Sequence, residues 1–103
     1  MYFKNNIKYA VLLDLDITTF DYCIIDNIAQ TSLKYGGWCH LNDAYFAMFL
    51  RVSVPQVTGA IQNAVGLGIL EICYRNDTYR RPTVKWWDAI DKAQTPACSI
   101  VDI

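Results

Sequence analysis

Residues 42–72 read NDAYFAMFLRVSVPQVTGAIQNAVGLGILEI and decide the fold, because they contain two short helical patterns followed by the start of a strand. Asn42 and Ser53 are typical N-cap residues, and a tight turn at residues 51–53 separates the two patterns. No Lys, Arg, Asp or Glu occurs from Val54 to Leu70, so the second helix is predicted to have an uncharged outer face. The inward faces are expected to be formed by Phe46, Ala47 and Leu50, and by Val57, Ala60, Ile61 and Ala64.

Downstream of this stretch, the sequence predicts a β-hairpin and a last helix. Gly68 is expected to end the second helix at a left-handed cap and to precede the first strand. A polar tip at residues 75–78 separates that strand from a return strand at residues 79–81. Thr83 is expected to cap a helix that ends near Ile90. The residues beyond that helix are predicted to form a linker and an apolar tail.

Upstream, the sequence predicts an extended segment and a long helix. Residues 7–13 are apolar and are expected to form a strand or an arm. Thr18 and Asp21 have the spacing of a capping box, which predicts a helix over residues 19–33 that ends before Gly36 and Gly37. A very short strand is expected ahead of Asn42. The side chains of this helix that are expected to be exposed to solvent are Asp21, Asp26, Asn27 and Gln30.

The length and composition of the chain predict one folded domain. Its 103 residues, 53% of them hydrophobic and 18% charged, are enough for one core and too few for two. We expect the domain to span residues 1–93 and the tail residues 94–103. The four cysteines are widely spaced and only one His is present, so no metal site and no cofactor are expected. A reducing, cytoplasmic location and no contact with a membrane are expected, since no long apolar segment occurs.

Charge is distributed unevenly along the chain, although the formal net charge is only -1. A nearly neutral chain has no general attraction for polyanions, so any such binding must depend on a local surface. The hairpin region carries Arg75, Arg80, Arg81 and Lys85 against the single acid Asp77. The segment before it is acidic, with Asp14, Asp16, Asp21, Asp26 and Asp43. The series Asp14, Asp16, Asp21 and Asp26 is interpreted as solvated surface, with a metal site or a DNA-mimicking face as the alternatives.

Several motifs together resemble a known family. They are Gly37-Trp38-Cys39, the Leu50-Arg51-Val52-Ser53 run at the turn, the Gly68-Ile69-Leu70-Glu71-Ile72 segment, and the run from Arg81 to Trp87, RPTVKWW. In this order they resemble the N-terminal winged-helix domains of phage and plasmid replication proteins, over about residues 9–90. The resemblance implies an α+β, mainly helical fold: a winged helix-turn-helix with a three-helix core, a β-hairpin wing and a C-terminal helix.

The resemblance also implies binding to double-stranded DNA, in the control of replication or transcription. The third helix of the core would face the major groove, with base-reading positions at Pro55, Gln56, Thr58, Gly59, Gln62 and Asn63. The wing would contact phosphates through Arg75, Arg80, Arg81 and Lys85. The logarithm of the binding constant decreases linearly with the logarithm of the salt concentration, and four such contacts give this salt slope a value of about -3 to -4. This value is low for a strong duplex binder, so a homodimer with two wings is expected. The family usually has Gly where this chain has Arg51, and basic residues on the helix that is uncharged here.

A function of another class stays open: a winged-helix module that binds protein, either a second copy or a host protein partner, and no DNA. Tyr45, Met48 and Phe49 favour it, because the helical pattern leaves them outside the inward face. Trp86 and Trp87 are interpreted as core residues and His40 as a polar rim residue, so no catalytic residue is expected and the chain is not predicted to be an enzyme.

Overall fold

The computed structural model describes residues 8–101, and the side chains of residues 8–93. These residues form five helices, with one antiparallel hairpin between the fourth and the fifth, and the fold is therefore α+β and mainly helical, as predicted. The order of these elements is compatible with a winged-helix layout. The elements are α1 (Tyr9–Leu15), α2 (Thr19–Lys34), α3 (Asp43–Leu50), α4 (Val54–Gly66), β1 (Leu70–Cys73), β2 (Asn76–Pro82) and α5 (Val84–Val101).

The N-termini of the three central helices are capped as the sequence predicts. Thr18 Oγ1 accepts from the N–H of Asp21 at 3.1 Å, and Asp21 Oδ2 accepts from the N–H of Thr18 at 3.2 Å, which completes the capping box of α2. Asn42 Oδ1 accepts from Tyr45 N at 2.9 Å at the start of α3. Ser53 begins α4 with a second capping box. Each cap satisfies N–H groups that have no partner inside their own helix.

The N-terminal segment differs from the sequence prediction. A strand or an arm was expected over residues 7–13, but residues 9–15 form the short helix α1, which packs on α5. Val11 and Leu15, four residues apart, are both buried, and this spacing places them on one side of a helix. A run of mixed apolar residues fits a strand or a helix equally well, and the contact with α5 decides between them. Ile7, where the predicted arm began, lies outside the described residues.

The last helix is longer than predicted. Helix α5 does not end near Ile90 but continues to Val101, so the expected linker is helical and the boundary expected at residue 93 falls within the helix. No Gly or Pro follows Ile90 directly, and Asp91-Lys92-Ala93-Gln94 contains no strong helix breaker. Thr83 precedes the helix as predicted, yet its hydroxyl donates to the carbonyls of Gly68 and Ile69 rather than capping α5.

The hairpin is tighter than predicted, since β2 already begins at Asn76 and only Tyr74 and Arg75 form the turn. Glu71 lies opposite Arg81 and Ile72 opposite Arg80, with an irregularity after Ile72. On its other side, β2 forms an isolated bridge with Cys39 through Cys39 N to Arg80 O at 2.7 Å and Arg80 N to Cys39 O at 3.2 Å. The strand expected ahead of Asn42 is reduced to this bridge.

The core lies between the four helices α1 to α4, the hairpin and the start of α5. Its largest fully buried side chains are Trp86, Phe46, Ile24, Ile25, Ile28, Ile69, Leu70, Val11 and Val57. Asn27, expected to face water, is buried, because α2 contacts both α4 and β2 and so presents a wide arc to the core. Its Nδ2 donates to Cys23 O at 2.9 Å. Within residues 8–101, no helix combines the length and the apolar sequence that a bilayer crossing requires.

Candidate nucleic-acid interface

The turn between α3 and α4 is closed by a residue in the left-handed conformation. Arg51 has φ 59° and ψ 47°, and its N–H donates to Ala47 O at the end of α3. The N–H of Val52 donates to the same carbonyl at 3.0 Å. Non-glycine residues rarely adopt this conformation, which Gly adopts without strain. The turn therefore holds an exposed guanidinium group beside the N-terminus of α4, and sequence reasoning did not place it in the interface.

Helix α4 divides into the two faces that its sequence predicts. Val57, Ala60, Ile61 and Ala64 are buried against the rest of the core. The other face is open to solvent and carries no charge, as expected from the sequence. Its exposed residues are Pro55, Gln56, Gly59, Gln62 and Asn63. This face can offer amide groups to a ligand but no ionic contact.

Two of the predicted base-reading side chains already have partners within the protein. Gln56 Oε1 accepts from Ser53 N at 2.9 Å, which leaves mainly its Nε2 for a ligand. Thr58 is half-buried and donates from Oγ1 to Asp43 Oδ2 at 2.6 Å, so its hydroxyl hydrogen faces α3. In the described part of the chain, Gln62 and Asn63 have exposed side chains with no such partner. They remain the clearest candidates for base contacts.

Arg80 lies in the interior, contrary to its predicted role on a phosphate. Its side chain is only 7% exposed, and Nη1 lies 2.8 Å from Asp43 Oδ1. Nη2 donates to Leu41 O at 3.1 Å. A phosphate could reach this guanidinium group only if the ion pair opened. Successive side chains of a strand point to opposite faces, so Arg80 shares a face with the buried Pro82 and not with its neighbours Tyr79 and Arg81. This alternation is the sequence signal for its burial.

The other three predicted phosphate contacts differ in their availability. Arg81 pairs with Glu71, with Nε 2.9 Å from Oε2, and its guanidinium carbon lies 4.1 Å from the ring centre of Trp38. Lys85 is exposed and donates from Nζ to Leu67 O at 2.8 Å, at the C-terminal end of α4. Arg75 is exposed at the turn of the hairpin and donates from Nε to Tyr74 Oη at 3.1 Å. Arg75, Lys85 and Arg51 thus have no ion-pair partner among the described residues.

The outer face of α3 is apolar, as the sequence predicts. Met48 is 73% exposed and Phe49 is 43% exposed, while Tyr45 is half-buried and meets Phe46 edge to ring at 6.1 Å. These three residues have the spacing that places side chains on one side of a helix. Val54, at the start of α4, is also exposed. An apolar surface therefore lies next to the polar face of α4.

Aromatic side chains on the hairpin side form a stack that the sequence does not reveal. The rings of His40 and Tyr79 lie nearly parallel, with centroids 4.0 Å apart, and Tyr35 continues the stack at 6.4 Å from His40. The bridge between Cys39 and Arg80 places His40 next to Tyr79, and only the register of β2 could have predicted this pairing. His40 is exposed at this rim, as expected.

The remaining chemistry-bearing side chains are structural. Trp86 is fully buried, as expected, and its ring lies 5.2 Å from that of Tyr22. Burial raises the pKa of the Cys39 thiol, and burial together with the charge of Asp26 raises the pKa of Cys23, so both thiols stay protonated near neutral pH. Within the described residues, no group of three or more His, Cys, Asp or Glu is arranged to hold a metal ion.

Comparison with protein-family models, with curated proteins and with solved structures found no match for this chain.

Proposed function

We propose that the chain is a winged-helix DNA-binding protein of the phage or plasmid type, acting in replication or transcription control. In this proposal α4 faces the major groove and the hairpin is the wing. The observation that carries it is the outer face of α4, a capped helix that follows a tight turn and exposes Gln62 and Asn63, together with the exposed Arg75 in the turn of the hairpin. Amides of this kind form bidentate hydrogen bonds with adenine in the major groove.

The cations available to phosphates limit the affinity of a monomer. Arg51, Arg75 and Lys85 are exposed without an ion-pair partner in the described residues, whereas Arg81 must exchange Glu71 for a phosphate and Arg80 is buried. Three phosphate contacts give a salt slope of about -2.7. Such a monomer loses about fortyfold in affinity between about 50 and 200 mM salt. A homodimer with two wings would double the slope, which supports a dimer as the binding form.

The test is the affinity for a mixed-sequence duplex, measured by fluorescence anisotropy over this range of salt. The variant Arg75→Ala/Lys85→Ala removes two of the three cations and is expected to reduce the slope to about -0.9 per monomer. Lys92→Ala is the matched control, because it removes a cation that pairs with Asp14 and to which the proposal assigns no phosphate. A wild-type protein without salt-dependent binding, or a control that weakens binding as much as the double variant, contradicts the proposal.

Base reading is tested on the sequence that selection from a random duplex pool enriches. Gln62→Ala and Asn63→Ala are each expected to lose about 1–3 kcal/mol of discrimination at one base pair, with an unchanged salt slope. Gln30→Ala, which removes an amide from α2, is the matched control, because the proposal assigns no DNA contact to that residue. Equal loss of affinity for every sequence would contradict base reading by these residues.

The second candidate is a protein-binding winged-helix module, and the observation that favours it is the apolar face of α3. Met48 is largely exposed and Phe49 is nearly half-exposed, next to a helix without charges. Interfaces between proteins are enriched in Met and aromatic residues at their centre. Light scattering over a range of concentrations tests self-association, with Met48→Gln/Phe49→Gln as the variant. A host protein partner is the other possible occupant. A wild-type protein that stays monomeric and retains no partner contradicts this candidate.

A further inference from the structure

We infer that Asp43, Thr58 and Arg80 form a latch that sets the orientation of the hairpin relative to α4. Arg80 is then a positioning residue and not a ligand contact. The carboxylate of Asp43 is the centre of the latch: Oδ2 accepts from Thr58 Oγ1 at 2.6 Å, and Oδ1 lies 2.8 Å from Arg80 Nη1. One side chain at the start of α3 therefore joins the middle of α4 to strand β2.

Most of the latch is buried, so its two charges attract each other more strongly than those of an ordinary surface pair. The Arg80 side chain is 7% exposed and the Asp43 side chain 23% exposed. A pair in such surroundings is screened little by salt and is held in one geometry by its additional hydrogen bonds. Nη2 of Arg80 supplies one of these, to Leu41 O at 3.1 Å, just ahead of α3. The guanidinium group is thus held by two points at the beginning of that helix.

The latch crosses a space between the start of α3 and strand β2. An open notch of about 390 Å³ lies there, lined by Asn42, Asp43, Ala44, Asp77, Thr78 and Arg80. The Asp43–Arg80 pair belongs to the lining of this notch. Strand β2 is also attached to residues 38–40, by the backbone bridge between Cys39 and Arg80, by the stacking of Tyr79 on His40 and by the contact of Arg81 with Trp38. The latch adds a side-chain link from β2 to α3 and α4, which these contacts do not provide.

The consequence for binding rests on the proposed function. If α4 and the hairpin bind one duplex together, the latch fixes the distance between the base-reading face and the phosphate-binding tip. Pre-organisation of this kind increases affinity without adding a contact. Breaking the latch should then weaken binding on the order of tenfold, within the roughly 5- to 150-fold range of ordinary coupling between sites, and leave the salt slope unchanged.

The first test does not depend on DNA. Backbone residual dipolar couplings measured by NMR compare the hairpin amides with those of α2 and α4 in wild type, Asp43→Asn and Arg80→Met. One alignment should fit all elements in wild type, whereas both variants should show reduced couplings in the hairpin alone. Arg75→Met is the matched control, since it removes the same charge from the same hairpin without touching the latch. If Arg80→Met does not fold, Thr58→Val removes one arm of the latch and replaces it. Hairpin couplings that stay unchanged in the folded latch variants overturn the inference.

The second test uses the duplex assay. A latch predicts that Asp43→Asn and Arg80→Met weaken binding alike, that their combination is no worse than either, and that Arg80→Lys partly restores it. A phosphate contact at Arg80 predicts the opposite pattern: Arg80→Met lowers the slope by about 0.9, while loss of the Asp43 charge strengthens binding. The second pattern overturns the inference. If wild type binds no DNA, the proposed function fails, and the dipolar couplings still decide the latch.

Discussion

Replacing Arg51 with Gly should stabilise the protein and weaken its binding to DNA at the same time. Arg51 has φ 59°, in the left-handed region. That conformation costs a residue with a Cβ about 1–2 kcal/mol. Glycine has no such cost, but its greater conformational freedom in the unfolded chain destabilises the folded state by about 0.5–1 kcal/mol. The Arg51 side chain is exposed, so no large packing loss offsets the gain. The net expectation for Arg51→Gly is a stabilisation of about 0.5–1 kcal/mol.

The assay is thermal and urea unfolding followed by circular dichroism, with Arg51→Ala as the matched control. For a domain of this size the gain corresponds to an increase in melting temperature of about 2–6 °C. Arg51→Ala removes the same charge but keeps the Cβ in the left-handed region, and it should show no such increase. If Gly and Ala have the same stability, or if Gly lowers it, the backbone of Arg51 is not strained and the reasoning is wrong.

The same two variants separate stability from binding. In the duplex assay the magnitude of the salt slope should decrease by about 0.9 for both variants, because each removes one exposed cation from the turn before α4. The Gly variant would thus be the more stable protein and the weaker binder. A slope that both variants leave unchanged would remove Arg51 from the proposed interface, without affecting the prediction for stability.

Three further predictions concern the fold. Ser53→Ala removes the capping box of α4 and should cost about 1 kcal/mol in urea unfolding, whereas a change below about 0.3 kcal/mol would show that the cap is dispensable. Trp86→Phe should cost about 1–2 kcal/mol in the same assay, less than the roughly 3–5 kcal/mol of Trp86→Ala, because Phe still fills most of the buried site; both changes remove an indole N–H that has no partner among the described residues. Burial raises the pKa of Cys39 in the folded state, so the thiol of the unfolded chain loses its proton at a lower pH. The urea midpoint should therefore decrease as the pH rises above about 9. Cys39→Ala should make that decrease smaller.

The helix starts were predictable because their causes are local. Thr18, Asn42 and Ser53 each lie three residues from the group they bond, so the sequence contains the whole interaction. The inward face of α4 was predictable for a similar reason, since helical spacing alone places its four apolar residues together. The helical structure of α1 was not predictable, because it depends on the contact with α5, near the other end of the chain.

Asn27 and Arg80 show why polar side chains are harder to assign. Both were expected to face solvent, and both are buried because elements far away in the sequence pack against them. The partner of Arg80 is Asp43, which belongs to the acidic segment ahead of the hairpin. The distribution of charge along the sequence gives no information on the strand that supplies the second charge. Whether a charged side chain of a hairpin is buried or exposed can be assigned only when the face of the strand to which it points is known.

The bridge between Cys39 and Arg80 also has a consequence for self-assembly through strands. It pairs the outer side of β2 at Arg80, whereas in the described chain β1 has no strand on its outer side. Open edges are templates on which further strands can add, and proteins limit them by shortening, charging or bending the strand. Strand β1 has all three properties: it has four residues, it carries Glu71, and its register is irregular between Ile72 and Cys73. The hairpin is therefore a poor starting point for fibre growth.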